Sequence, residues 1–406
     1  MVDNIEEYKK FSTSSLLPQP ETLEIKKQKT TLTVGVPKEI NNSENRVALV
    51  PEAVNLLVSN GHKVIVENDA GVVARFDNSE YLESGATMVY THEEAFNADI
   101  VLKVSPLSLN EISYLRNRST VISALNIANR NFDYFKELSA KKITALAFEY
   151  IKDKTKTYPV TRSISEIAGN MSVHIASEYL SDSKLSKGIM LGGVTGITPT
   201  EIVIIGAGTV GEYAARAAMG LGAYVKVFDN SIYKLRRLQN NLNSRIFTSI
   251  IEPKVLLKSL KTAHVLIGAI HTRNGRTPCI VTEDMVMQMK KGAVIVDVSI
   301  DQGGCVETSA ITSHTNPVFV KHDVIHYCVP NISSKVPHTA SYALSNCFAP
   351  MLINIGEAGG VDDIILCDYG VRQGVYMYYG TLTNKYIADT YRLPFQDIDL
   401  LMAALR

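Results

Sequence analysis

The segment Gly206-Ala-Gly208-Thr-Val-Gly211 constrains this chain more than any other stretch of it. It follows the apolar run Glu201 to Ile205, which reads as a strand, and opens an Ala-rich helix over Glu212 to Leu221. Tyr224 to Asp229 reads as the next strand and ends in an acid 23 residues after Gly206 (229 − 206 = 23). A lone Gly-x-Gly-x-x-Gly is a weak signal, because glycines also mark ordinary turns. Here strand, turn, helix and acid come in order, near the ~20-residue spacing of a dinucleotide-binding unit. Gly206 permits the tight turn, Gly208 lets the backbone approach a pyrophosphate, and Gly211 lets helix and strand pack closely. The helix N-terminus offers unpaired N–H groups and a positive dipole end to phosphates. Asp229 accepts hydrogen bonds from ribose hydroxyls and repels a 2′-phosphate, so the expected cofactor is NAD rather than NADP. The cofactor-binding set is therefore Gly206, Gly208, Val210, Gly211 and Asp229, with Lys234 beside the acid. Lys234, Arg236 and Arg237 otherwise read as a solvated helix face, although an arginine there is the group that accommodates a 2′-phosphate.

The rest of the chain repeats the style of this unit. Leu32 to Val36, Lys63 to Glu67, Ile100 to Val104, Thr120 to Ala124 and Thr144 to Ala147 read as strands, with a helix over Pro51 to Asn60. His264 to Ala269 and Ala293 to Asp297 continue the second block. Strands alternating with helices predict parallel βαβ units. Apolar positions at Ile164, Ile167, Ala168, Met171 and Ile175 predict a long helix near 163–180, and a second is expected near 341–356. The fold class is α/β, with two α/β blocks flanking residue 160.

Composition narrows the function. At roughly 100–200 residues per domain, 406 residues imply two or three domains. The 41 basic and 41 acidic residues cancel, so no global field holds a polyanion, and nucleic acid is not expected as a partner. Neither a polybasic amphipathic face nor an apolar run of ~20 residues is present, so no membrane association is expected. Cys279, Cys305, Cys328, Cys347 and Cys367 are odd in number and widely spaced. They encode neither a disulfide framework nor a zinc site, and a reducing, cytoplasmic location follows. Residues 1–30 form a polar arm, with a short helix expected around Asn4 to Phe11 and a linker from Ser12 to Pro20.

Several longer segments carry a family resemblance. They are Val34-Gly-Val-Pro-Lys-Glu39, Glu44-Asn-Arg46-Val-Ala, Ser165-Glu-Ile-Ala-Gly169, Gly192-Gly-Val-Thr-Gly196, the glycine turn, Ile300-Asp301-Gln-Gly-Gly304 and Val329-Pro-Asn331. In this order they resemble the alanine dehydrogenase/nicotinamide nucleotide transhydrogenase α-subunit family, the dehydrogenases more closely. The resemblance implies two Rossmann-type doubly wound domains joined by two long helices. The substrate domain would be discontinuous, 31–160 plus 338–406, with the NAD domain at 161–337. It further implies reversible NAD-dependent deamination of L-alanine to pyruvate and ammonia, by a homo-oligomer (a hexamer or dimer).

By the same resemblance, Arg46 holds the substrate carboxylate, for which a planar fork of donors suits better than lysine. Asp301 resembles the active-site aspartate, Lys103 matches the first lysine of a family motif and joins Arg46 and Asp301 in the candidate catalytic set, and Ser165 and Asn331 resemble groups that position the nicotinamide amide. Two positions depart from the dehydrogenase pattern. Ser105 stands where a second lysine is expected, and Asn126 stands where the catalytic histidine is expected. Asparagine does not titrate, so the expected acid–base group is missing. Three readings follow. Lys103, Lys38 or one of His271, His322, His326 and His338 supplies the chemistry; the substrate is another amino, oxo or opine-type acid; or the chain binds NAD(H) without turnover.

Overall fold

The computed structural model describes residues 29–41, 43–127, 130–272 and 276–404. The expected short N-terminal helix and the Ser12 to Pro20 linker lie outside the described residues.

Six strands open the chain: β1 (Thr33–Val36), β2 (Lys63–Glu67), β3 (Thr87–Val89), β4 (Ile100–Leu102), β5 (Thr120–Ser123) and β6 (Thr144–Ala147). The central block supplies β7 (Glu201–Ile205), β8 (Tyr224–Phe228), β9 (Phe247–Ser249), β10 (Val265–Gly268), β11 (Val294–Asp297), β12 (Val318–Lys321) and β13 (Val324–Tyr327). Near the C-terminus come β14 (Val375–Tyr378) and β15 (Thr381–Leu382). They build an eight-stranded sheet in the order β15-β14-β6-β5-β4-β1-β2-β3 and a seven-stranded sheet in the order β12-β13-β11-β10-β7-β8-β9. The first sheet thus draws strands from both ends of the chain.

Each sheet is covered on both faces, and the sequence shows it as period-2 feeding of two cores. Ile202 and Ile204 enter one apolar cluster, while Val203 and Ile205 enter another on the opposite face. In the first sheet Ile100, Ile122 and Leu146 face one cluster, and Val101, Val121 and Ala145 the other. These strands are parallel.

The sheets are not parallel throughout. β14 lies antiparallel to β6, β15 antiparallel to β14, and β12 antiparallel to β13. Two-residue turns explain both hairpins. His322 and Asp323 have φ of 55° and 58°, and Tyr379 and Gly380 have φ of 46° and 79°. Positive φ at both central positions is the turn whose twist matches antiparallel strands.

The long helices are Pro159–Ser181 and Pro337–Ala358, and they pack on each other. Both extend a turn upstream of the expected starts because a proline sits in the first helical turn, where its missing N–H is no loss. In each sheet the chain runs outward from one central strand, then crosses back to start on that strand's other side. The crossings fall between β1 and β4 and between β7 and β10. Open α/β sheets bind ligands beyond the carboxyl ends of the strands at such points.

Candidate active site

The glycine turn occupies the crossing point of the seven-stranded sheet. Gly206 has φ of 111°, and a Cβ there would lie 2.3 Å from the carbonyl oxygen of Ala269, just past β10. A Cβ on Gly211 would lie 1.9 Å from the Gly206 carbonyl oxygen, so helix and turn touch backbone to backbone. Around Gly208 the position of a Cβ is open space. Gly208 caps the helix Thr209–Gly220 without any side-chain hydrogen bond, leaving its first N–H groups for a ligand. Asp229 is buried, with Oδ2 accepting from the Ala207 N–H at 2.8 Å and Oδ1 from the Ser231 N–H at 2.7 Å. Lys234 Nζ stands 3.7 Å from Asp229 Oδ2. The Arg237 guanidinium donates to the Ala207 carbonyl oxygen at 3.4 Å. The open crook, the uncapped helix and the acid together fit a dinucleotide.

Ser165 lies on the helix Pro159–Ser181, one turn before Gly169. A Cβ at Gly169 would approach the Val210 carbonyl oxygen to 2.5 Å, so this helix rides directly on the start of the helix Thr209–Gly220. Residues four apart share a helix face, which sets Ser165 and Val210 on the same side of the turn.

Asp301 sits in the short 3-10 turn Val298–Gln302 that follows β11. The turn is tied to the loop after β10 through the Ile270 N–H to Ser299 Oγ at 2.9 Å and the Thr272 N–H to Gln302 Oε1 at 2.9 Å. Asp301 Oδ1 accepts the Asn331 N–H at 2.8 Å. Its side chain is reached by solvent but crowded by protein, and burial raises its carboxyl above the usual range against the pull of Asn331 and Arg46. Asn331 is held at φ of 56° and donates its amide to Glu44 Oε2 at 2.8 Å. Glu44 in turn grips Arg46 on two donors, Nε to Oε1 and Nη2 to Oε2, both at 2.6 Å. Arg46 Nη1 donates to Ser333 Oγ at 3.0 Å. Arg46, Asn331 and Asp301, predicted from separate segments, therefore meet in one network. Among the described residues three of the five guanidinium N–H groups find acceptors, and one on Nη1 and one on Nη2 are left to take a carboxylate end-on. Ser341 and Ser345 of the helix Pro337–Ala358 accept the N–H groups of Val47 and Val50, which fixes the segment carrying Arg46.

Lys103 and Ser105 lie at the crossing point of the eight-stranded sheet, just past β4. Lys103 is 1% exposed, with Nζ 2.5 Å from Glu111 Oε1 and 3.3 Å from Glu39 Oε2. Burial disfavours its charge, but the two carboxylates outweigh that and raise its pKa. Glu39 Oε1 also accepts the Val104 N–H at 2.7 Å, and Glu39 Oε2 accepts the Ser105 hydroxyl. Burial holds the Glu39 carboxyl above its ordinary range in spite of Lys103. Beyond Glu111, His92 bridges Glu111 Oε1 at 3.3 Å and Glu67 Oε2 at 2.7 Å. Those two hydrogen-bonded partners lift the imidazole pKa to about 9, while Glu111, buried but held by His92 and Lys103, falls to about 2. Glu39, Glu44, Glu111 and His92 were not singled out from sequence, although Glu39 and Glu44 lie inside the segments that carried the resemblance.

Asn126 is exposed at φ of 45° beyond β5. Its N–H and that of Leu125 donate to Glu149 Oε1, and burial raises the Glu149 carboxyl. Of the four histidines considered from sequence, His326 is enclosed, bonded to Thr308 and the Val324 carbonyl, and lowered by burial to about 4. His338 bonds the Ala74 carbonyl and stacks on Phe76. His322 pairs with Glu283 at the β12–β13 turn. His271 lies past β10 near Lys234, with its pKa lowered by burial and by that lysine. The Lys38 N–H donates to Glu67 Oε2 at 2.7 Å. Among the described residues no cluster suited to a metal ion occurs, and no helix is long and apolar enough to cross a membrane.

Comparisons with known proteins agree with this geometry. The family description "Alanine dehydrogenase/PNT, N-terminal domain" matches residues 35–168, and its C-terminal counterpart matches 172–385. The sequence is 37% identical over 367 residues to the alanine dehydrogenase of Staphylococcus saprophyticus, covering 90% of this chain and 98% of that one. A solved L-alanine dehydrogenase superposes with a TM-score of 0.82 at 34% identity, covering 89% of this chain and 99% of that one. The transhydrogenase from Sinorhizobium meliloti superposes at 0.74 with 24% identity over 87% and 99% of the two chains, a likeness of fold.

Proposed function

The chain belongs to the alanine dehydrogenase/PNT family, and from that premise we propose that it is an amino-acid dehydrogenase that deaminates L-alanine reversibly to pyruvate and ammonium with NAD. The observation that carries this reading is the network joining Asp301 and Asn331, beyond the nucleotide sheet, to Arg46 beyond the other sheet. NAD would lie on Gly206, Gly208, Val210 and Gly211, with its ribose at Asp229, Lys234 beside that acid, and its amide near Ser165 and Asn331. The bound nicotinamide supplies one property, the capacity to take or give a hydride. Arg46 offers its two remaining N–H groups to the substrate carboxylate. Asp301 stands ready to hold a water or to balance positive charge at the reacting carbon. Lys103 completes the set by fixing the carboxylate of Glu39.

The domain division belongs to the same proposal: 31–160 with 338–406 carries the substrate, and 161–337 carries NAD. A cytoplasmic homo-oligomer is proposed with it; the unpaired cysteines suit a reducing compartment.

A second reading is favoured by one specific observation. By the family resemblance a lysine and a histidine are expected where this chain has Ser105 and Asn126, which suits a different amino or oxo acid, an opine-type substrate, or silent NAD(H) binding. NADH oxidation with pyruvate plus ammonium, followed by a panel of oxo acids and amines, separates these. Turnover with pyruvate supports the first reading, turnover with another pair supports the second, and NADH binding with no turnover on any pair defeats the dehydrogenase assignment.

A further inference from the structure

With the expected lysine and histidine gone, a proton still has to leave the substrate amine. Three carboxylates near the site have raised pKa values and lie outside the set assigned above: Asp297, whose oxygens are taken by Ser299, Cys305, Val306 and Ser309, then Glu149 and Glu39. Glu149 spends Oε1 on two backbone N–H groups, and its Oε2 is buried without a partner among the described residues. Nothing ties it to Arg46 or Asp301. Glu39 is different. It stands within electrostatic reach of both Glu44 and Arg46, beside the substrate network. Its carboxylate accepts the hydroxyl of Ser105, the residue that stands in the lysine's place.

We propose that Ser105 and Glu39 form the acid–base pair of this site, the hydroxyl passing protons between the substrate nitrogen and the Glu39 carboxylate. The inference rests on the dehydrogenase reading. Ser105 gives its only proton to Glu39 and keeps lone pairs for an incoming N–H. Both side chains retain about 7% exposure, so the pair is sheltered but not sealed. In the oxidative direction an N–H bond of the substrate ammonium breaks and its proton goes to Ser105 Oγ. The serine's own proton passes to Glu39 Oε2. The Cα–H bond then breaks, and its hydrogen leaves with both electrons to the nicotinamide. Water adds to the resulting iminium carbon, and C–N cleavage releases ammonium and the oxo acid. Glu39 finally gives its proton to solvent, which is the one net proton of the balanced reaction: amino acid, NAD⁺ and water give oxo acid, ammonium, NADH and H⁺.

The surroundings suit the task. Lys103 faces Glu39 from β4, Glu44 and Arg46 face it from the segment after β1, and Ser105 completes the shell. Lys103 is itself positioned by Glu111 and His92. Burial, with Glu44 beside it, raises the Glu39 carboxyl further than Lys103 lowers it, so Glu39 takes up a proton more readily than an ordinary glutamate.

The test is the pH profile of kcat and KM for wild-type protein, Glu39→Gln, Ser105→Ala and Ser105→Thr, with NADH affinity measured by fluorescence in each. The pair requires Glu39→Gln to lose about 100- to 10,000-fold in kcat and the limb of the profile belonging to the base, with NADH affinity within about twofold. Ser105→Ala should lose at least about tenfold, and Ser105→Thr should recover most of it. Glu39→Gln with wild-type kcat and profile overturns the pair. If Glu39→Gln fails to fold, the serine variants decide: an unaltered Ser105→Ala overturns it, and loss with threonine rescue supports it. Absence of wild-type turnover on any oxo acid and amine defeats the dehydrogenase reading and this inference with it, whereas wild-type turnover with unaltered variants defeats the pair alone.

Discussion

At the scale of single residues, the site is defined by what each carboxylate is bonded to. Asp229 holds the Ala207 N–H and leaves lone pairs for a ribose. At about 1.5–3 kcal/mol for hydrogen bonds to a charged group, Asp229→Ala should weaken NADH binding roughly 10- to 100-fold, read by fluorescence titration. Asp229→Asn keeps an acceptor for Ala207 but turns an NH2 toward the Ser231 N–H, so it should weaken NADH binding with a smaller loss of stability than alanine. His92 offers a stability test. Its ordinary pKa is about 6.5, and its two carboxylate partners raise it to about 9 in the folded chain. The folded state therefore binds the proton more tightly, and the stabilisation is complete below about pH 6.5. It is lost as pH rises through 9, by roughly 3 kcal/mol at most. Urea midpoints should fall across that window for the wild type and stay flatter for His92→Gln. Much of this scale was legible in sequence, because a glycine turn and a terminal acid declare their partners locally. The Asn331 bond to Glu44 and the burial of Lys103 were not, since they depend on which strands become neighbours.

Among the elements, the glycines that matter are those where two backbones touch. Gly169 lets the helix Pro159–Ser181 lie against the Val210 carbonyl, with a virtual Cβ only 2.5 Å away. Gly169→Ala forces the helices apart, an overpacking penalty of about 1–3 kcal/mol. It should lower Tm by several degrees and raise the Kd for NADH, because Ser165 moves with the helix. An unchanged Tm would show that the helices slide freely. Strands at the centre of each sheet were readable as apolar runs, and the first long helix as a 3.6-residue stripe. The edges were not. His322-Asp323 and Tyr379-Gly380 are weak turn signals beside Asn-Gly, so the strands β12 to β15 passed unrecognised. Short edge strands such as Phe247–Ser249 carry too few apolar residues to show a period.

For the molecule as a whole, the two crossing points are the organising fact. One presents the uncapped nucleotide helix, the other presents Glu39, Lys103 and Ser105, and the Glu44–Asn331–Asp301 bonds connect them. A balanced total charge says nothing of such a site, because the charges that act are local and mostly paired. On the function proposed, a hydride crosses from a nicotinamide beside one sheet to a carbon beside the other. The direct measurement uses NADH carrying deuterium at both C4 positions, incubated with ammonium and a 2-oxo acid, followed by mass spectrometry of the amino acid formed. The account expects one deuterium at Cα, in an amount equal to the NADH consumed, and strongly reduced transfer in Asp229→Ala. NADH consumption without deuterium in the amino acid, or tight NADH binding with no amino acid formed from any oxo acid tried, would contradict it.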